Sequence, residues 1–343
     1  MEKLEKRNQF VDIMRGIAML LVVLQHTMSG CTAGAEDSFV FNVAWSLQMP
    51  LFILISGYVT KYSRPISDGK GLWKYLKRRT IAYMFPWAVW SFVIRGIVFG
   101  QRGFLDIKNL LWNMDFGYWF LATIWTISMI FGISSFIAER ASKGNIRKKQ
   151  IILLMCYLAG MVLLVGIGVL LGMSFFAIKL TLYYMPFYYA GFLYGQFDDK
   201  IMESDNGKRI IDCAVAICFV IWLFVILRVS LYEMSDGGFG IILRAATSLS
   251  GCVAVCGLCK EIFSSKCGGG ILAWFGANSL EIYLMHYLLL SLIKLDKTPV
   301  LCSPTGLSLI VVNYIITVVF TAMIIIVLNK NRVLRFTLTG KKN

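Results

Sequence analysis

Three side chains raise the first chemical question. Asp12, Arg15 and His26 stand in one apolar run, RNQFVDIMRGIAMLLVVLQHTM, at residues 7–28. On a helix, Arg15 and His26 share a face to within about 20° and lie about 16 Å apart along the axis, with Asp12 on the same face. An ionisable group costs about 2.5–3.5 kcal/mol or more at the centre of a bilayer, so this stripe points to a protein-lined or wet interior. A guanidinium there can hold an anion, and an imidazole can take a hydroxyl proton and return it near neutral pH. Asp12 is about 21 Å from His26 along the helix and cannot orient it. It is expected instead to pair with Arg15 at i+3 and hold the guanidinium ready for an anionic ligand.

The chain has two histidines, and the second, His286, stands in the apolar run LAWFGANSLEIYLMHYLLL at 272–290. One of the two is expected to be the base. Asn278, Ser279 and Glu281 form a polar patch deeper in that run. Glu281 lies about 140° around a helix from His286, so the two are not a same-face pair. It is either a functional acid or the partner of an interhelical arginine such as Arg228 or Arg244. Lys77, Arg78 and Arg79 close a basic loop and could hold the phosphates of a nucleotide-bearing donor, or serve only to orient the chain. Arg95, Arg228 and Arg244, with Trp119 and the tyrosines of 183–189, Tyr188 among them, could line a saccharide site. The alternative is an aromatic belt with snorkelling arginines. Cys252, Cys256 and Cys259 share a helical face, but no histidine or acid stands near to complete a soft metal site, so helix packing is expected there and no metal.

The elements that must position these groups follow from composition. A 343-residue chain that is 58% hydrophobic and 15% charged fits no soluble globular class. It reads as an all-α, polytopic membrane protein. The net charge of +15 sits in short loops between apolar runs, where it orients a membrane protein rather than binding nucleic acid. About ten spans are expected, near 10–28, 40–60, 80–99, 117–138, 151–172, 177–195, 210–231, 239–259, 271–293 and 305–328. The basic loops 61–79 and 139–150 and the basic tail fall on one side, which predicts both termini in the cytoplasm, Arg15 in the inner half of its span and His26 near the outer end. The first run shows no clear cleavage site and reads as a retained anchor. Residues 1–343 are expected to form one membrane domain with no separate soluble domain.

These residues resemble the acyltransferase-3 family of integral-membrane acyltransferases, in particular its short members similar to fucose 4-O-acetylases. The resemblance rests on D-x-x-R-G-I-A followed by V-V-L-Q-H in the first run, QMPLFILISGY at 48–58, the basic KRR run with Pro86, YWFL at 118–121, YMPFYYAGFLYG at 184–195 and NSLEIYLMHYLLL at 278–290. It implies transfer of an acyl group, usually acetyl from cytoplasmic acetyl-CoA, to a hydroxyl of a surface or exported glycan or lipid-linked sugar in a bacterial cell membrane. Carried over by motif, His26 is the family's catalytic histidine, Arg15 its preceding arginine and Arg79 the first arginine of a donor-binding R-x-x-R pattern. The second arginine of that pattern falls on Ala82, a departure that Lys77 or Arg78 would have to offset. Longer relatives carry an appended extracytoplasmic domain that this chain lacks, so the acceptor must come to the membrane or be brought by a glycan-synthesis partner or second copy. Two other classes fit the same residues. One is a transporter or flippase with Arg15, Glu281 and His286 along its pathway, and the other an accessory subunit of a glycan-export complex.

Overall fold

The structure is a computed structural model that describes residues 8–114, 117–202, 204–234, 237–264 and 270–341. The described chain is helical, apart from turns and one isolated bridge between Ala33 and Val300. In order it forms α1 (Gln9–Cys31), α2 (Phe39–Tyr58) and α3 (Gly69–Ala88), the last running on as a π-helical stretch over Val89–Val98. Then come α4 (Ile107–Trp112), α5 (Trp119–Ser142), α6 (Ile146–Leu171), α7 (Ile178–Met202) and α8 (Asp205–Arg228). The chain continues as α9 (Gly238–Ser264), α10 (Gly270–Ala277), α11 (Ser279–Met285), α12 (Pro304–Leu328) and α13 (Arg332–Thr339).

Among the described residues, eight helices are long and apolar enough to cross a bilayer: α1, α2, α3 with its π-helical continuation, α5, α6, α8, α9 and α12. The protein is an all-α, multi-pass membrane protein. The other two expected runs are helical but fall outside the eight. One is α7, which carries the Tyr-rich stretch around Pro186. The other, 271–293, is broken into α10, α11 and a single turn, His286–Leu288. The break is at Asn278, whose side-chain amide donates to the Trp274 carbonyl at 2.8 Å and so competes with the backbone ladder. Loop 61–79 is also shorter than expected. Asp68 caps α3 by accepting from the Gly71 amide, so Lys70 through Arg79 lie on the helix rather than in a loop.

The chain forms two compact units, with the boundary inside α7 between Pro186 and Phe187. The first holds the chain through Lys61 together with Phe187–Val327. Its helices approach through glycines: a β-carbon on Gly57 or Gly191 would collide with the backbone of α7 or α2 respectively. Buried Asn42 donates to the carbonyls of Ile226 and Val229 at 2.8 and 2.6 Å and accepts from the Leu231 amide at 3.0 Å, tying the end of α8 to α2. Asp198 on α7 accepts from Tyr58 at 2.7 Å and pairs with Lys61 at 3.5 Å and with Lys260, which joins α2, α7 and α9.

The second unit is Tyr62–Pro186 with the chain from Leu328. Here α3 packs on α5 through bonds from Tyr75 to the Ser128 carbonyl, 3.2 Å, and from Trp125 to Thr80, 3.0 Å. The short helix α13 docks on the same unit, where Trp90 donates to the Leu338 carbonyl at 2.8 Å and Phe336 stacks on Phe85.

Candidate active site

The site is built on one helix contact. Asn8 caps α1, which then carries Asp12, Arg15, Gly16 and His26 upward along one rod. A β-carbon on Gly16 would meet the Leu272 carbonyl, and one on Gly276 the Asp12 carbonyl, so the backbones of α1 and α10 touch at these two glycines. In both segments the next histidine follows ten residues later, Gly16 to His26 and Gly276 to His286. Parallel helices in this register bring the two histidines together, with ring centroids 5.4 Å apart. The residues offered as alternative bases are therefore neighbours.

Tyr287, the residue after His286, closes the group. Its ring lies 4.7 Å from His26 and 4.4 Å from His286, and its hydroxyl is 3.0 Å from Nε2 and 3.3 Å from Nδ1 of His26. His286 is fully buried, at 0% exposure, whereas His26 is half-buried and Tyr287 is 37% exposed. The Nδ1 of His286 lies 2.7 Å from the Tyr283 carbonyl and 3.1 Å from that of Ile282. A carbonyl can only accept, so the proton of neutral His286 sits on Nδ1 and the lone pair on Nε2.

The segment that carries His286 and Tyr287 leaves α-helical geometry for a 3-10 turn, and α12 and α1 hold the residues that follow it. Thr317 donates to the Leu289 carbonyl at 2.9 Å, and the Cys31 thiol points to the Leu290 carbonyl at 3.7 Å. Buried Asn313 accepts from the Ile293 amide at 3.1 Å and donates to the Ile293 carbonyl at 3.0 Å. Below the histidines, Glu281 and Asp12 are buried, at 1% and 5%, and Arg15 is half-buried on α1. Gln48 of α2 and Gln25 of α1 meet beside this face, both buried, with Gln48 Nε2 donating to Gln25 Oε1 at 3.5 Å.

The acyltransferase-3 model, described as an acyltransferase domain, matches residues 8–328. The chain belongs to this family. It is thus a membrane acyltransferase, and its matched region contains every candidate residue named above. No match was found among curated proteins or solved structures.

The remaining candidates of this acyltransferase sit on other helices of the two units. In the first unit, Arg228 is exposed and lies over the Phe224 ring, and Arg244 is half-buried. Tyr188 is only 1% exposed and its carbonyl faces Gly57 of α2, so it packs helices instead of offering an open face to a sugar. In the second unit, Lys77 and Arg78 are exposed, and Arg79 bonds Tyr83 at 3.2 Å and lies over the Tyr75 ring. Also there, Arg95 bonds Gln101 at 2.8 Å, lies over Phe104 and bonds buried Tyr118, while Trp119 stacks on Tyr184 at 5.8 Å. Sequence reasoning missed Tyr287, Asn313, Thr317 and the Gln25–Gln48 pair. The shared Gly-to-His spacing was the available signal for the first.

Proposed function

We propose that this acyltransferase moves an acetyl or similar short acyl group from acetyl-CoA to a sugar hydroxyl of a surface or exported polysaccharide or lipid-linked glycan, in a bacterial cell membrane. The observation that carries the reading is the pairing of His26 with His286 and Tyr287 in a member of an acyltransferase family. An imidazole that can take a proton is what hydroxyl acylation needs. His26 takes the proton as the acceptor oxygen bonds to the thioester carbonyl carbon. The tetrahedral intermediate then collapses, the carbon–sulfur bond breaks, and the imidazolium gives its proton to the leaving sulfur. Buried His286, its proton held by a backbone carbonyl, fixes the ring beside His26. Arg15, with Asp12 behind it, holds the anionic end of the donor about 16 Å below, a span suited to a pantetheine arm. Within the same unit, Arg228 and Arg244 are the candidates to contact the acceptor.

The test is radiolabelled acetyl-CoA with the purified protein in detergent and a lipid and glycan extract of the producing cells. Label should enter the extract with release of free thiol, and His26→Ala should abolish both while expression and insertion stay unchanged. A transporter or an accessory subunit would neither transfer label nor cleave the thioester, and wild-type transfer by His26→Ala would sink the proposal.

A further inference from the structure

We infer that the Tyr287 hydroxyl is a proton relay between the acceptor and His26. The inference rests on the acyl-transfer reading above and assigns a catalytic residue that neither the motifs nor the family match supplies. Of the three rings in mutual contact, His286 is fully enclosed and its Nδ1 proton is committed to the Tyr283 carbonyl. Tyr287 is the most exposed of the three, at 37%, so an acceptor reaching His26 meets the phenol first. Its hydroxyl lies nearly equidistant from the two nitrogens of His26, at 3.0 and 3.3 Å. It therefore stands within hydrogen-bonding reach of both, and a small turn of either ring aligns it with one. A phenol ordinarily keeps its proton at neutral pH, and it can donate and accept at once, as a relay must.

The chain around Tyr287 is held as a relay requires. The turn that follows it is fixed at three successive points, Leu289, Leu290 and Ile293, by Thr317, Cys31 and Asn313. These bonds go to backbone groups and leave the Tyr287 side chain unrestrained by them. In the transfer step the acceptor O–H bond breaks as its proton passes to the phenol oxygen. The phenol proton passes to His26 in the same motion, and the acceptor oxygen bonds to the acyl carbon. On collapse the relay runs backward, from imidazolium through phenol to the departing sulfur, so the tyrosine ends as it began.

The deciding experiment compares Tyr287→Phe and His26→Ala in full-length protein, using acetyl-CoA as the probe and thiol release with the cell extract as the readout. The histidines are labelled with isotope, and because there are only two, each gives its own magnetic-resonance signal. Tyr287→Phe should lower kcat about ten- to a hundredfold, with KM for acetyl-CoA unchanged. Only the His26 signal should move. Wild-type kcat in Tyr287→Phe beside an inactive His26→Ala overturns the relay and leaves the base intact. Activity in both variants overturns the acyl-transfer assignment itself. A fall in kcat with a displaced His286 signal also overturns the relay, because it shows Tyr287 acting on the fold.

Discussion

Substituting Gly276 by alanine perturbs the site without touching a reacting group. The added methyl points at the Asp12 carbonyl and the Gly16 amide, both main-chain atoms of α1 that no rotamer change can clear. To reach ordinary contact near 3.5 Å, α1 and α10 must part by about 1.5–2 Å. Overpacking of this kind costs about 1–3 kcal/mol, which a folded membrane protein survives. The Tyr287–His26 bond does not survive it. Starting from 3.0 Å, it passes the limit of a hydrogen bond. Misplacement by about 1 Å costs about a hundredfold in rate. The assay is thiol release from acetyl-CoA alongside a thermal melt in detergent. The control is Gly166→Ala in α6, where the same methyl meets nothing within 4 Å. Gly276→Ala should lose about a hundredfold in turnover and Gly166→Ala none. Wild-type turnover in Gly276→Ala, at any melting temperature, would refute the idea that this contact sets the register of the histidines.

Two further substitutions test how the first unit is held. Asn313→Leu leaves the amide and carbonyl of Ile293 without their side-chain partner, which should cost about 2–4 kcal/mol in a melt and lower turnover by loosening the turn after Tyr287. An unchanged melting temperature would show that this turn is held otherwise. Asp198→Asn removes the carboxylate that Lys61 and Lys260 share, and should destabilise the first unit by about 2–3 kcal/mol. Equal loss on replacing Tyr58 by phenylalanine would instead assign the effect to the 2.7 Å phenol bond.

The length of the apolar runs made the helical fold legible, because a membrane span has to satisfy its backbone within itself and so writes its length into the sequence. Eight of the ten expected runs fall on helices long and apolar enough to cross a bilayer, and the other two are helical over most of their length. What composition could not reveal is where a run breaks. The Asn278 amide captures a carbonyl locally, and that is a choice of side-chain rotamer, invisible to a hydropathy window. The same local chemistry moved the basic cluster from loop to helix, since the cap at Asp68 counts for more than the average polarity of 61–79. His26 and His286 were readable one at a time, as scarce titratable residues in apolar runs. Their meeting was not, because it depends on a contact between residues 260 positions apart in sequence. Tyr287 was hidden for another reason: beside Tyr283 and the tyrosines of 183–189 it looks like one more interfacial aromatic.

The glycine contact also behaves as a pivot. Each histidine sits at the end of an arm that begins where α1 and α10 touch, and the arms hold equal numbers of residues. Tilting one helix against the other about that point moves the tips apart in proportion to the arm, by about 2–3 Å for a tilt of about 10° over ten residues. Sliding one past the other, or altering the length of one arm, offsets them as well. A single residue inserted between Gly16 and His26 would lift the imidazole by about 1.5 Å and turn it by about 100°. The close contact at the glycines and the count from glycine to histidine therefore have to be kept on both arms together.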